Sequence, residues 1–292
     1  MKIEGVSLFS TTPVAANGAI DIDRWKRHLD DAFVAGVRCV TLFGSTGGNG
    51  YFSESEKKTA LETVAQHLGG QMSVMMGIGS MTTDESVRLA KHASDNGADA
   101  VLAVPLNYWP PTESELFRHY ETIAAASKVP VWLYNNPGLA GIDLTPAIVA
   151  KLASIPNVVG MKDSSGDLTR ALTIPQLTGN KIAVGVGQDT LILEALLGVA
   201  PAWFTGLANI CPSECILLWQ AAKDGDLGKA NSLSRKLFEL SEIGSRHGII
   251  RVAHTALDML GESVGQPRAP LRYLEGEAAA ELRAALNNLG IL

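Results

Sequence analysis

The chain has 292 residues, 46% of them hydrophobic and 18% charged, which is enough apolar material for a large core and too little charge for a disordered chain. Lys and Arg number 24 against 30 Asp and Glu, a net charge of −6, and no basic run exists, which argues against a nucleic-acid partner. Three cysteines, Cys39, Cys211 and Cys215, cannot build a disulfide framework and read as buried thiols suited to a reducing cytoplasm. The length fits two ordinary domains or one α/β barrel of about 250 residues with an appendage.

The opening MKIEGVSLFSTTP does not read as a signal peptide, because Glu4 interrupts it and the apolar stretch 6–9 is too short. The first strand is expected over 5–9. Asp21 caps a helix beginning IDRWKRHL, and a second strand follows at 39–43. Ser53 with Glu56 forms a capping box before KKTALETV. Strands at 73–77 and 100–104 enclose a helix that starts after Thr82 or Thr83 and stops at Gly97. Thr112 opens the next helix, ahead of a strand at 131–134, and Thr145-Pro146 places Pro at a first helical position. A strand at 158–162 leads into a helix that must be short or late, because Pro175 interrupts it. Strands at 182–186 and 202–205 complete the set of eight.

Residues 195–213 carry no charge and are long enough to span a bilayer. Pro201, Thr205, Asn209 and Pro212 break the stretch, so it reads as helix end, strand, loop and helix start, with no membrane partner. Beyond about residue 225 only helical patterns remain, over 228–244, 249–261 and 277–290. The expectation is a (β/α)8 TIM barrel over residues 1–225 and a three-helix C-terminal extension over 226–292. An open doubly wound sheet is the competing fold, but the turn after the first strand, STTPVAANG, carries no dinucleotide fingerprint.

In a barrel the site lies at the C-terminal ends of the strands. Lys162 ends the sixth strand after Val158-Val159-Gly160-Met161, which would wall its stem with apolar groups. Burial disfavours the ammonium, and a neutral amine attacks a carbonyl to give a Schiff base. The other reading is a lysine extending from a strand end into water. Tyr134 ends the neighbouring strand, where a phenol could move the protons that imine formation requires; otherwise it is a core tyrosine. The loop Gly44–Gly50 lacks the ending of a phosphate-binding P-loop, and Ser45 and Thr46 in it offer either an anion nest or a flexible turn. The six histidines show no metal-ligand spacing, and Cys211 and Cys215 read as a packed helix start, so no metal is expected.

G-S-T-G at Gly44, Y-N-x-P at Tyr134 and G-x-K-D-S at Gly160 occur in this order. Together they resemble the dihydrodipicolinate synthase / N-acetylneuraminate lyase superfamily of class I aldolases, across essentially the whole chain. The resemblance implies a Schiff-base lyase acting on pyruvate or another 2-oxo acid, making or breaking a C–C bond or eliminating water. Lys162 would form the imine and Tyr134 would relay protons. Ser45 and Thr46 would bind the keto-acid carboxylate, and Gly187 and Phe204 would line the pocket. It also implies a homotetramer with no metal or organic cofactor.

Four positions depart from the family pattern. Gly48 stands where Glu is common. Leu139 replaces the arginine that synthases use for the aldehyde's carboxylate, and Thr190 follows Asp189 where the lyase branch has Glu. Asn107 holds the place of a tyrosine that reaches a neighbouring subunit's site, with Tyr108 one residue off, so Tyr108 is either a shifted relay or an interface aromatic. With no further rim arginine in view, a 2-keto-3-deoxy sugar acid is a reasonable partner. The synthase reaction itself (pyruvate with aspartate semialdehyde), a phosphate-binding barrel enzyme and a catalytically silent 2-oxo-acid-binding barrel remain alternatives.

Overall fold

The computed structural model describes residues 3–198 and 200–292; Met1 and Lys2 of the opening segment and Val199 of the uncharged stretch lie outside them. Eight parallel strands close into a barrel in chain order. They are β1 (Gly5–Phe9), β2 (Cys39–Leu42), β3 (Ser73–Gly77), β4 (Ala100–Ala103), β5 (Val131–Asn135), β6 (Val158–Asp163), β7 (Ala183–Val186) and β8 (Ala202–Thr205). The predicted strands are all present, and none is displaced by more than one residue at either end. The second ends early for a conformational reason. Phe43 takes a left-handed φ of +52°, which an extended strand cannot continue through.

Each strand is buried on both faces, as its unbroken apolar pattern requires. The outward-facing side chains, among them Leu8, Leu133, Met161 and Trp203, join the main core against the helices. The inward set, Phe9, Met75, Leu102, Trp132, Tyr134 and Phe204, forms a separate cluster inside the barrel. Two glycines make room for it. A Cβ at Gly160 would lie 2.6 Å from the Trp132 indole, and one at Gly185 would lie 2.3 Å from the Phe204 ring. The rings then meet edge to face, Trp132 on Phe204 at 5.6 Å and Phe9 on Phe204 at 5.7 Å. This aromatic layer fills the barrel and leaves its C-terminal mouth as the place for a ligand.

The helix starts follow local chemistry. Asp21 accepts from the Arg24 amide at 3.0 Å, and Thr82, rather than Thr83, caps its helix. Ser53/Glu56 and Thr112/Glu115 both close full capping boxes, and Pro146 opens its helix after Thr145. The Pro175 helix is short, Arg170–Leu177. The uncharged stretch resolves into a helix ending at Gly198, the strand β8, a turn of 3-10 helix and a helix from Pro212. No helix among the described residues is long and apolar enough to cross a membrane.

Three helices follow the barrel, α1 (Leu227–His247), α2 (Ile249–Met259) and α3 (Gly276–Leu289). Gly248, at φ +87°, is the single residue between α1 and α2, so the chain reverses there without a linker. Arg268, before α3, reaches back to the barrel. Its guanidinium donates to both Glu56 oxygens at 2.9 and 2.6 Å, so the carboxylate that closes a capping box also fastens the extension.

Candidate active site

Tyr134 on β5 and Lys162 on β6 are direct partners in the strand register. Neighbouring positions in a parallel pair point to the same side, so both side chains enter the barrel mouth. Lys162 is only 4% exposed. Its Nζ sits 3.3 Å from the centre of the Phe9 ring and 4.6 Å from that of Tyr134. Burial holds the amine below the ordinary lysine range, against the opposing pull of Tyr134 and Asp189. The lysine does not extend into water; it is a walled, buried amine.

The Tyr134 hydroxyl is held from two sides. Asn136 Nδ2 donates to it at 3.1 Å, and the Ser45 hydroxyl lies 3.0 Å away. Burial pushes the phenol up, but the Lys162 charge and the Asn136 and Ser45 hydrogen bonds together outweigh it and bring it below the usual tyrosine range. Because Asn136 fills one acceptor position, the phenolic hydrogen is left to point toward Ser45 or the amine. Asn135, next to Tyr134, faces away from the mouth and steadies the loops behind it. Its Nδ2 donates to Asp143 at 3.0 Å and Asp163 at 2.8 Å, and Arg170 clamps Asp143 with two bonds of 2.6 and 2.8 Å.

The mouth opens into a cleft of about 830 Å³, within the range that takes a small-molecule substrate. Lys162, Tyr134, Ser45, Thr46, Gly187 and Phe204 all line it. Thr46 is buried, with its side chain against Gly206. Phe204 forms part of the floor. Gly187 is required by contact: a Cβ there would fall 2.2 Å from Lys162 Cε and 2.4 Å from Ser164 Oγ. Both are ends of flexible side chains, so Gly187→Ala is expected to keep the fold and move the amine. A displacement of about 1 Å is enough for roughly 10²-fold. Turnover should fall by that factor with little change in melting temperature; unchanged turnover would show that the amine's position is not set there.

Several cleft residues carried no assignment in the sequence. Asn136 and Ser164 stood in quoted motifs without a role, and Ser164 Oγ is buried with no hydrogen-bond partner. Phe9, which lies against the amine without lining the cleft, read only as an apolar strand residue. Asp189 is half-buried and accepts from Trp203 Nε1 at 2.8 Å, and desolvation holds its carboxyl above the usual range. The expectation of no further rim arginine is overturned, because Arg251 of α2 lines the cleft. Helical periodicity marks which face of α2 is buried but not that its first turn reaches the barrel mouth.

The departures also have places. Gly48 takes a left-handed φ of +67°, and a Cβ on it would touch Ile250 at 3.2 Å, so the extension closes over the position where Glu is common. Leu139 lines the cleft with its side chain 65% exposed. Thr190 Oγ1 accepts from Gln188 at 3.1 Å. Asn107 is bound to the carbonyls of Pro105 and Ala140 at 3.1 and 2.7 Å. Tyr108 is 86% exposed, packs edge to face on Trp109 at 6.2 Å and does not line the cleft.

A closed (β/α)8 barrel whose mouth holds a buried lysine beside a hydrogen-bonded tyrosine defines a Schiff-base lyase of the class I aldolase type. Comparison with known proteins gives the family. A model of the dihydrodipicolinate synthetase family matches residues 2–289. A 4-hydroxy-tetrahydrodipicolinate synthase of Methanothrix thermoacetophila is 34% identical over 282 residues, covering 96% of this chain and 95% of the relative. Among solved structures, the dihydrodipicolinate synthase of Acinetobacter baumannii complexed with pyruvate superposes with a TM-score of 0.94 at 30% identity, over 100% of both chains. An E. coli K12 prophage protein of the dihydrodipicolinic acid synthase family, also in complex with pyruvate, gives 0.93 at 26% identity, over 100% of both chains. The chain belongs to the dihydrodipicolinate synthetase family.

Proposed function

We propose that Lys162 is the imine-forming residue for pyruvate or another 2-oxo acid, and that Tyr134 is its proton relay. The observation that carries this is the buried amine at the barrel mouth, register-paired with a tyrosine whose hydroxyl is oriented by Ser45 and Asn136. The neutral amine adds to the 2-carbonyl. The carbinolamine then loses water once its hydroxyl is protonated, and the phenol is the nearest group to supply that proton. In condensation, loss of a C3 proton gives the enamine, which attacks an aldehyde; in cleavage the C3–C4 bond breaks instead, the other half leaves as an aldehyde, and the enamine stays on Lys162 to be protonated at C3. Ser45 and Thr46 bind the keto-acid carboxylate. Ser45 thus has two roles, since the same hydroxyl touches Tyr134. Only lysine is needed as covalent catalyst, so the reading includes neither metal nor organic cofactor.

Incubation with pyruvate and borohydride, followed by peptide mass spectrometry, tests the assignment. The expected result is a reduced pyruvate adduct on Lys162. An adduct elsewhere, or none from pyruvate and other 2-oxo acids on folded protein, would overturn it. Two relatives of known structure hold pyruvate, which makes it the first 2-oxo acid to try.

The names of curated relatives favour a second reading, the synthase reaction of pyruvate with aspartate semialdehyde. Leu139, an alkyl side chain, cannot itself hold the aldehyde's carboxylate, so that reading needs another cationic group at the rim. A homotetramer belongs to the same proposal. The exposed Tyr108–Trp109 pair is apolar surface that such an assembly would cover, and a native mass of four chains checks it.

A further inference from the structure

The helical extension brings a fixed positive charge to the cleft. Arg251 stands in the first turn of α2, half-buried, and lines the cavity. Its Nη1 donates to the His247 carbonyl at 3.2 Å, at the end of α1. Gly248 makes room for it, since a Cβ there would lie 3.3 Å from Nη1. The guanidinium is thus held by backbone. Other arginines are neutralised in place: Arg88 by Glu54 at 2.8 Å, Arg170 by Asp143 at 2.6 Å, Arg246 by Glu281 at 3.1 Å and Arg268 by Glu56 at 2.6 Å. Among the described residues no carboxylate forms an ion pair with Arg251.

Besides the two phenols Tyr51 and Tyr134, two other ionisable acid–base groups face the same cavity. Lys162 is the nucleophile of the proposed reaction, and Asp189 is half-buried and hydrogen-bonded to Trp203. Neither neutralises Arg251. A guanidinium offers five donors in a planar fork. One donor is used on His247, and the remainder match a carboxylate or phosphate. The keto-acid carboxylate is already assigned to Ser45 and Thr46, which belong to the barrel and not to the extension. We infer that Arg251 binds a second anionic group, on the part of the substrate remote from its 2-oxo acid, so that this cleft selects dianionic ligands. Which end of the ligand is which rests on the Schiff-base reading above.

The test is a set of binding measurements by calorimetry on the intact protein. 2-Oxoglutarate, 2-oxoadipate and 2-oxopimelate are compared with the one-carboxylate acids of the same chain length, and 2-keto-3-deoxygluconate with its 6-phosphate. At least one dianion is expected to bind about tenfold or more tightly than its counterpart, as a charge-assisted pair requires. That ratio should collapse to within about twofold in Arg251→Gln and be partly kept in Arg251→Lys, which retains charge without the fork. A carboxylate-only or phosphate-only preference identifies the source of the anion. The inference is overturned if no dianion is preferred, or if the preference survives in Arg251→Gln. Borohydride trapping in the same samples keeps the two readings apart. Loss of the Lys162 adduct removes the imine assignment, whereas loss of the dianion preference with the adduct intact removes only the role of Arg251.

Discussion

Lys162→Ala is expected to abolish turnover, by about 10⁴-fold or more, since it removes the nucleophile itself rather than its orientation. The adduct with pyruvate and borohydride should vanish with it. The fold should survive, because the lysine's burial is a cost to the folded state. In the folded chain its amine has a lowered proton affinity, so at low pH the charged form carries a desolvation penalty. That penalty begins to fall as pH rises past the folded value and is gone only at the ordinary lysine value. Replacing the lysine removes the penalty and leaves a space that opens into the cleft, where water can enter. The melting temperature at neutral pH should therefore stay within about 4 °C of the parent or exceed it. The same electrostatics set a pH dependence. In the parent protein, the rate of borohydride trapping should climb with pH and level off below the ordinary lysine range. Normal turnover in the variant would end the imine mechanism, and a trapping midpoint at the ordinary lysine value would show that the amine is solvated.

Tyr134→Phe is expected to lower the rate by about 10²–10⁴-fold, the usual contribution of a positioned proton donor. The ring remains, so its edge contact with Phe9 at 6.1 Å is kept, and the wall beside Lys162 is unchanged. What disappears is the hydroxyl between Ser45 and Asn136. Both partners line the cleft, where water can replace it, so the stability cost should be about 1 kcal/mol. The equilibrium yield of adduct after long incubation should remain within about threefold of the parent, with its rate of appearance lowered in step with turnover. An unchanged rate would remove Tyr134 as the relay. A lost yield with an unchanged rate constant would make it a binding group instead.

Sequence patterning reaches far into this fold because most of its determinants are local. Ser53 with Glu56 and Thr112 with Glu115 close their capping boxes through neighbours three residues away. The strands announce themselves because both faces are buried, which demands unbroken apolar runs. The ends of strands then locate Lys162 and Tyr134, since barrel chemistry sits where strands stop. The extent of β2 was overestimated because nothing local in Phe43 signals a left-handed backbone.

By itself, then, the sequence determined the eight strand–helix units, the trailing helices, and the lysine and tyrosine placed side by side at the barrel mouth. Period, caps and chain order carry that information over spans of a few residues. Only the tertiary structure decided what surrounds the amine. Phe9 comes to lie under Lys162 from a strand 153 positions earlier in the numbering, Gly187 is needed because the lysine stem presses on it, and Tyr108 turns out to face solvent. Arg251 enters the cleft because α1 and α2 reverse sharply at Gly248 and fold the extension over the mouth. Such contacts join segments far apart in the chain. They depend on how whole elements pack, and no local pattern of residue types encodes that.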